Sequence, residues 1–351
     1  MFPFVAVLVV GLLFSSLGTL SQTSYPPAQQ QPVQQQPAQQ PPSQQPPPVR
    51  NQDTLQLPPG QQPQEPKQEG NVFVFTSKVE EVILHATVVD EHGRLVTTLG
   101  KDAFNVYEDG QPVQITSFRH EDIPVALGII IDNSGSMRDK RIAVNRSSLN
   151  LVRSSNPEDQ VFIVNFNDES YIDQDFTNSI DKLKEGLEHI ESRGGTALYD
   201  AVVASADHLK KQARQDLQKK VMLVITDGED NASRESLEQT VRRVSEEGGP
   251  TVYSIGILGE ERSKRAKRAL SQLSEQTGGL AFFPKDASEV DSISQTIARD
   301  IRNQYTIGYK KNKNAPMGYR TVKVVAKAPG YKNLQVRTLT GYFAGQERAA
   351  R

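Results

Sequence analysis

The stretch Val125–Met137 reads VALGIIIDNSGSM and joins an apolar run to a short polar loop. The apolar run predicts a buried β-strand, because short runs of this kind bounded by turn residues form strands that are covered on both faces. Asp132 ends the predicted strand, and Ser134 and Ser136 follow at alternate positions. A carboxylate at the end of a buried strand needs a partner, and we expect that partner to be a cation.

Predicted strands and helices alternate on the C-terminal side of this stretch, over residues 123–303. The predicted strands are Val125–Asp132, Gln160–Asn167, Val221–Asp227, Thr251–Leu258 and Leu280–Phe283, with Tyr171–Phe176 as a short edge strand. The predicted helices are Lys140–Ser154, Ser179–Ile190, Ala197–Gln212, Ser236–Glu247, Arg262–Gln276 and Val290–Asn303. This alternation predicts an α/β fold, with a doubly wound, Rossmann-like and mostly parallel sheet covered by helices on both faces.

The segments on either side of this domain, 71–122 and 304–345, are predicted to be β-structure. The first contains strands at Val79–Val89 and around Phe104 and Val106, a hairpin turn at Glu108–Gln111 and a return strand through Val113, Ile115 and Phe118. The second contains strands at Gln304–Tyr309, Thr321–Ala328 and Leu334–Phe343. Because each segment is too small to be stable alone, we expect the two to pair into one small β-sandwich-like module, with the α/β domain inserted in a loop.

The N-terminal residues 1–21 are typical of an export signal. The apolar run Phe2–Leu13 is shorter than the ~20 residues that span a membrane, and small residues follow it. We therefore predict a signal peptide or short N-terminal anchor, with the protein secreted or held in the periplasm or cell envelope. Residues 22–70, rich in Gln and Pro, are predicted to be a disordered spacer, and 346–351 a tail.

Composition excludes several classes of function. The 351 residues leave room for about two domains, and the net charge of −2 gives no overall field for nucleic acid or an anionic membrane. The chain has no cysteine, which excludes disulfides, a thiol nucleophile and a thiolate metal site. Any membrane tether is therefore expected through the N-terminus only.

Two further loops are predicted to complete the site that begins at Asp132. In a doubly wound sheet, ligands bind outside the carboxyl ends of the strands, where the strand order reverses. Asp227 closes a second such strand, and Thr196 precedes the helix between them. With Ser134 and Ser136, these side chains offer only hard oxygen atoms, which favours Mg²⁺, Mn²⁺ or Ca²⁺. Two carboxylates only neutralise a divalent ion, so a position stays open for an acidic side chain from a partner.

The residues DNSGS, Thr196 and TDG resemble the metal-ion-dependent adhesion site of von Willebrand factor type A (VWA) domains, whose pattern is Asp-x-Ser-x-Ser with a distant Thr and a distant Asp. The resemblance covers about half the chain. It implies that Ser134 and Ser136 contact the ion directly, that Thr196 does so in the ligand-bound form, and that Asp132 and Asp227 often act through water.

The flanking segments carry a second resemblance. AFNVYEDGQPVQITSF before the domain, and QYTIGYK and GYFA after it, are similar to segments of bacterial VWFA-related proteins described from acidobacteria. The interleaved arrangement also resembles integrin β subunits, in which a type A domain is inserted in a sandwich.

Three classes of function compete at the predicted site. The first is a non-enzymatic binding or adhesion protein, with no catalytic residue, whose metal is completed by a protein partner's carboxylate. The second is a Mg²⁺-dependent phosphotransferase or hydrolase that uses Asp132. Such a site needs a second acid two residues on, where Ser134 stands, and a lysine, which the neighbouring loops do not obviously supply. The third is a structural envelope protein with a purely structural metal. The sequence leaves open the partner, the choice of metal, the oligomeric state and whether the last helix, Val290–Asn303, moves.

Overall fold

A computed structural model describes residues 81–188, 192–258, 263–311 and 317–344 of the chain. The predictions for the export signal at 1–21, the spacer at 22–70 and the tail at 346–351 lie outside the described residues. Within the described part of the chain, no helix has both the length and the apolar character needed to cross a membrane.

The described residues form the following elements. The strands are β1 (Glu81–Val89), β2 (Phe104–Glu108), β3 (Gln111–Val113), β4 (Ile115–Arg119), β5 (Val125–Asp132), β6 (Gln160–Phe166), β7 (Ser170–Thr177), β8 (Lys219–Thr226), β9 (Thr251–Gly256), β10 (Ala281–Phe282), β11 (Tyr305–Lys310), β12 (Gly318–Ala326), β13 (Gln335–Arg337) and β14 (Gly341–Ala344). The helices are α1 (Arg141–Arg153), α2 (Ile180–Glu188), α3 (Leu198–Gln212), α4 (Leu237–Val244), α5 (Ser263–Thr277) and α6 (Val290–Arg302).

A six-stranded sheet forms the centre of the α/β domain, in the order β10-β9-β8-β5-β6-β7. All its pairings are parallel except that of the edge strand β7 with β6. The chain leaves β5 towards β6 on one side and later returns to β8 on the other, so the strand order reverses at β5. The predicted doubly wound, mostly parallel sheet is thus confirmed, and Asp132 and Thr226 end the two strands that meet at the reversal.

Helices cover both faces of this sheet, because its strands are apolar on both sides. Leu127, Ile129 and Ile131 of β5 lie in one buried cluster with side chains of α1, α2 and α6. Ala126 and Ile130 lie in the other, with side chains of α3, α4 and α5. Each fully buried aliphatic side chain contributes about 1.5–3 kcal/mol, so β5 is held firmly and its end is a rigid place for a site.

The segments before and after the α/β domain in the sequence together form one β-sandwich. Its two four-stranded sheets have the orders β13-β1-β11-β4 and β14-β12-β2-β3. Strands that precede the α/β domain pair with strands that follow it, β1 with β11 and β2 with β12. Phe104 and Tyr305 pack between the sheets with ring centroids 4.9 Å apart. The buried carboxylate of Glu108 accepts hydrogen bonds from the hydroxyls of Tyr309 (2.6 Å) and Tyr342 (2.9 Å).

Two predicted strands of the sandwich were wrong in extent. The segment Leu334–Phe343 forms two strands, β13 and β14, instead of one, and the predicted return strand of the hairpin is divided into β3 and β4. In both cases the two halves belong to different sheets. The chain turns a corner of the sandwich at these points, and a pattern of apolar residues does not mark such a corner.

A buried polar junction, formed by Asp300, Tyr253, Arg337 and Lys219, joins α6 to the six-stranded sheet and to the sandwich. The Asp300 carboxylate accepts hydrogen bonds from the Tyr253 hydroxyl and the Arg337 guanidinium, both at 2.7 Å. The buried Lys219 ammonium donates to the carbonyl of Ile301. Since α6 continues into β11 after two residues, these contacts fix the end of the helix between β8, β9 and β13.

Acidification should destabilise the fold through His85, which lies in β1 near this junction. Burial lowers the pKa of His85 from 6.5 to about 3, and the charge of Lys219 lowers it further in the same direction. In the unfolded chain His85 is therefore protonated below about pH 6.5, whereas in the folded chain it stays neutral down to about pH 3. From pH 7 to pH 5 this linkage costs about 2 kcal/mol of unfolding free energy.

The measurement is urea unfolding of the wild type and His85→Gln at pH 7 and pH 5. Asp159 acts in the opposite direction, because burial raises its pKa to about 6 and the folded chain then takes up the proton first. The wild type should lose about 2 kcal/mol more than His85→Gln on acidification. Equal losses in the two proteins would contradict the prediction.

Candidate metal centre

Three loops bring the predicted ligands together at the carboxyl ends of β5 and β8. The Ser136 hydroxyl donates to Asp227 Oδ1 (2.8 Å), which joins the first loop to the third. The backbone N–H of Asn231, in the third loop, donates to the carbonyl of Thr196 in the second (3.0 Å). A Cβ atom placed on Gly228 would lie 3.5 Å from Thr196 Oγ1, so this hydroxyl lies beside the residue that follows Asp227.

Asp132 is fully buried and is held by two hydrogen bonds. Its Oδ1 accepts from the N–H of Ser134 (2.8 Å), and its Oδ2 accepts from the hydroxyl of Thr226 (2.5 Å). Burial raises the pKa of Asp132, and the nearby Asp227 adds to the rise, while the bonds from Thr226 and Ser134 oppose it. A cation beside this carboxylate would favour its charged form and so oppose the effect of burial.

The two serines of the first loop lie next to each other. Their hydroxyl oxygens are 3.2 Å apart, with Ser134 buried and Ser136 exposed. A short 3₁₀ helix, Gly135–Lys140, begins directly after Ser134. The loop therefore presents the two hydroxyls side by side. Ser134 is bonded to Asp132 through its N–H, and Ser136 is bonded to Asp227 through its hydroxyl.

Thr196 is fixed by the loop that carries Asp227. Its N–H donates to the side-chain oxygen of Asn231 (2.8 Å), and its carbonyl accepts from Asn231 and Ala232. The next N–H, of Ala197, donates to the carbonyl of Asn167 (2.6 Å) after β6. These bonds hold the buried Thr196 in the second loop against the third loop, with its hydroxyl beside Gly228.

Sequence reasoning missed several residues that shape the site. Thr226 was assigned only to the strand, and its position directly before Asp227 gave no sign that it bonds Asp132. Lys140 was assigned to the start of a helix, yet its ammonium is ion-paired with Asp227 and donates to the carbonyl of Ser136 (3.2 Å). The expectation that the neighbouring loops do not obviously supply a lysine is therefore wrong, since Lys140 reaches Asp227.

A buried network under the site ties the first loop to its neighbours. The guanidinium of Arg141 donates to the side-chain oxygens of Asn133 (3.1 Å) and Asn165 (2.7 Å). The hydroxyl of Ser192, in the second loop, donates to the same oxygen of Asn133 (3.0 Å). Asn165 in turn donates to Asp173 on β7 (2.5 Å). Asn133 thus connects the first loop, which carries Ser134 and Ser136, to the second loop, which carries Thr196.

The donor chemistry of this cluster fits a hard divalent cation. It combines two carboxylates with three hydroxyls, and the ammonium of Lys140 already takes the place of a cation at Asp227. Among the described residues, no group of three or more His, Cys, Asp or Glu side chains is arranged to hold a metal ion. A metal at this position would therefore depend on the hydroxyls of Ser134, Ser136 and Thr196 as ligands.

Comparison with known proteins identifies the class of domain. Residues 127–229 match the family model of the von Willebrand factor type A domain. The match begins within β5 and ends just after Asp227, so it spans all three loops. This segment of the chain is therefore similar to von Willebrand factor type A domains.

Related proteins and structures share parts of this chain. Inter-alpha-trypsin inhibitor heavy chain H4 from Bos taurus is 22% identical over 222 residues, which are 58% of this chain and 24% of the bovine protein. Integrin alpha-11 from Mus musculus is 39% identical over 84 residues, 23% of this chain and 7% of the mouse protein. The chain thus spans at most about a quarter of these relatives. A solved von Willebrand factor type A structure from Catenulispora acidiphila has a TM-score of 0.45 at 14% identity and covers 77% of this chain and 74% of its own.

Proposed function

We propose that this is an exported, non-enzymatic binding or adhesion protein whose type A domain, residues 123–303, holds a divalent cation. Asp132, Ser134, Ser136, Thr196 and Asp227 would hold the ion, with Mg²⁺ as our first choice and Mn²⁺ or Ca²⁺ as alternatives. A protein partner would complete its coordination with a carboxylate. The observation that supports the proposal is that the first loop is hydrogen-bonded to Asp227 through Ser136 and that the third loop, which carries Asp227, also holds Thr196.

Each residue has a separate part in this proposal. Ser134 and Ser136 offer neighbouring hydroxyls, and Thr226 and the N–H of Ser134 orient the Asp132 carboxylate through their hydrogen bonds. When bound, the ion would supply a Lewis-acidic position for an oxygen of the partner. In our proposed division of the chain, segments 71–122 and 304–345 form the sandwich, and the Gln/Pro-rich residues 22–70 would be the spacer between the folded part and an N-terminal anchor.

The enzymatic alternative has one observation in its favour and one against it. Lys140 supplies the lysine that a phosphotransferase site requires, and it is ion-paired with Asp227. A second acid two residues after Asp132 is still missing, since Ser134 occupies that position. We therefore expect no turnover of a phosphoester by the purified protein. Turnover that Asp132→Asn abolishes would support the enzyme instead.

The metal is tested by following thermal unfolding of the full chain while Mg²⁺ is added and then chelated. Ligand binding to the folded state at 100 times Kd stabilises it by about 2.7 kcal/mol, so the melting temperature of the wild type should rise and chelation should reverse the rise. Asp132→Asn should show no rise. Asp139→Asn, an exposed acid in the same loop, is the matched control and should behave as the wild type. An equal rise in Asp132→Asn would contradict the proposed site.

The partner is tested by crosslinking in the native envelope with Mg²⁺ or with chelator. Partners specific to the site should be lost both on chelation and in Asp132→Asn. Crosslinks that survive both would contradict metal-dependent binding. A purely structural metal would instead lower the melting temperature on chelation and leave every crosslink in place.

A further inference from the structure

Lys140 places a positive charge of the chain itself inside the candidate metal centre. Its ammonium is ion-paired with Asp227 Oδ2, while Asp227 Oδ1 accepts the hydrogen bond of Ser136. The Asp227 side chain is only 1% exposed and that of Lys140 30%. A buried carboxylate in contact with an ammonium is already neutralised, so this half of the centre does not need a metal in order to fold.

The position of Lys140 is fixed by the same loop that carries the serines. It is the last residue of the 3₁₀ helix Gly135–Lys140, and its ammonium turns back to the carbonyl of Ser136 (3.2 Å). The next residue, Arg141, is anchored through Asn133 and Asn165. The ammonium is therefore held between Asp227 and the carbonyl of Ser136, and the backbone that carries it is anchored at the next residue.

The charges of the centre can be counted from these contacts. Asp132 and Asp227 contribute −2 and Lys140 contributes +1, which leaves −1. Arg141 and Asp173 are left out of this count as a pair of opposite charges, because they contact opposite ends of the Asn165 amide, Arg141 at its oxygen and Asp173 at its nitrogen. A divalent ion would bring the centre to +1, whereas without Lys140 the same ion would bring it to zero.

We propose that Lys140 is an affinity-determining residue of the centre, a tethered cation with which a divalent ion has to compete for Asp227. This inference rests on the proposed metal site. The competition lowers the affinity for the ion, so that loading depends on the ion concentration outside the protein. It also leaves the loaded centre with the single positive charge that one carboxylate of a partner would neutralise.

The test replaces Lys140 and measures binding of Mn²⁺ alone. Lys140→Met removes the charge, Lys140→Gln removes it but keeps a hydrogen-bond donor, and Lys182→Met, an exposed lysine on α2, is the matched control. Free Mn²⁺ is counted from the electron paramagnetic resonance signal of the aqueous ion. We expect Kd to fall about tenfold or more in both Lys140 variants, because one repulsive unit charge next to the ion has been removed.

A second readout needs no metal. Without ions, Lys140→Met should melt below Lys182→Met, since Asp227 has lost its partner, and saturating Mn²⁺ should raise its melting temperature by more than that of the wild type. If the wild type binds Mn²⁺ and the affinity of Lys140→Met and Lys140→Gln is unchanged or weaker, the inference about Lys140 is wrong. The proposed metal site would be unaffected by that result. If no form of the protein binds Mn²⁺, the proposed metal function fails, and this inference fails with it.

Discussion

Replacing Asp300 with alanine is expected to destabilise the folded chain by about 3 kcal/mol or more. Asp300 lies on α6 and is 5% exposed, and it accepts hydrogen bonds from Arg337 of the sandwich and Tyr253 of the α/β sheet. Removing one partner of a buried ion pair leaves an uncompensated charge, which costs about 3–5 kcal/mol. The partial exposure of Arg337, 23%, places the expected loss near the lower end of that range.

Urea unfolding of Asp300→Ala beside the wild type measures this loss. Asp102→Ala, an exposed acid of the sandwich, is the control and should change the free energy of unfolding by less than about 0.5 kcal/mol. Arg337→Met combined with Asp300→Ala should cost less than the sum of the two single changes, since the second change removes the charge that the first left unpaired. A loss below 1 kcal/mol in Asp300→Ala would show that the junction does not hold α6.

The strands of the α/β domain could be predicted because their signal is local. The run Val125–Asp132 was predicted and is observed with the same ends, since an apolar run that stops at an acid marks a buried strand and its end. The sandwich was predicted less well, because β13 pairs with the distant strand β1 while β14, a few residues later, pairs with β12 in the other sheet. No local pattern records that the chain crosses between two sheets at Thr338–Thr340.

In the candidate site, too, some residues could be predicted from the sequence and others could not. Asp132 and Asp227 could be placed at one edge because the topology of a parallel sheet brings strand ends together. The role of Lys140 could not, because the direction of its side chain depends on a 3₁₀ helix, Gly135–Lys140, that directly precedes α1 and was not predicted. The hydrogen bond from Thr226 to Asp132 could not be predicted either. A strand residue whose side chain points towards Asp132 has the same sequence pattern as one whose side chain points into the core.

Gly278→Ala is expected to be more damaging than an ordinary glycine substitution, by about 2–5 kcal/mol in total. Gly278 follows α5 with φ +86°, a left-handed conformation that costs another residue about 1–2 kcal/mol. A Cβ atom there would also lie 2.5 Å from the carbonyl carbon of Thr338 and 2.8 Å from the backbone nitrogen of Leu339. These are backbone atoms that no rotamer change can move, and forced overpacking costs about 1–3 kcal/mol more.

Gly330 separates the two contributions, since it has the same φ, +86°, with open space where a Cβ would stand. Gly330→Ala should therefore lose only the conformational part, about 1–2 kcal/mol, and the difference between the two variants in urea unfolding measures the close approach of α5 to the sandwich. The N–H of Thr340 donates to the carbonyl of Gln276 (3.1 Å). The segment Thr338–Thr340 therefore cannot move away from α5 without breaking this hydrogen bond. Equal losses would mean that the segment yields freely. A larger loss at Gly278 would show that the inserted domain and the sandwich are tightly packed where the chain changes sheets.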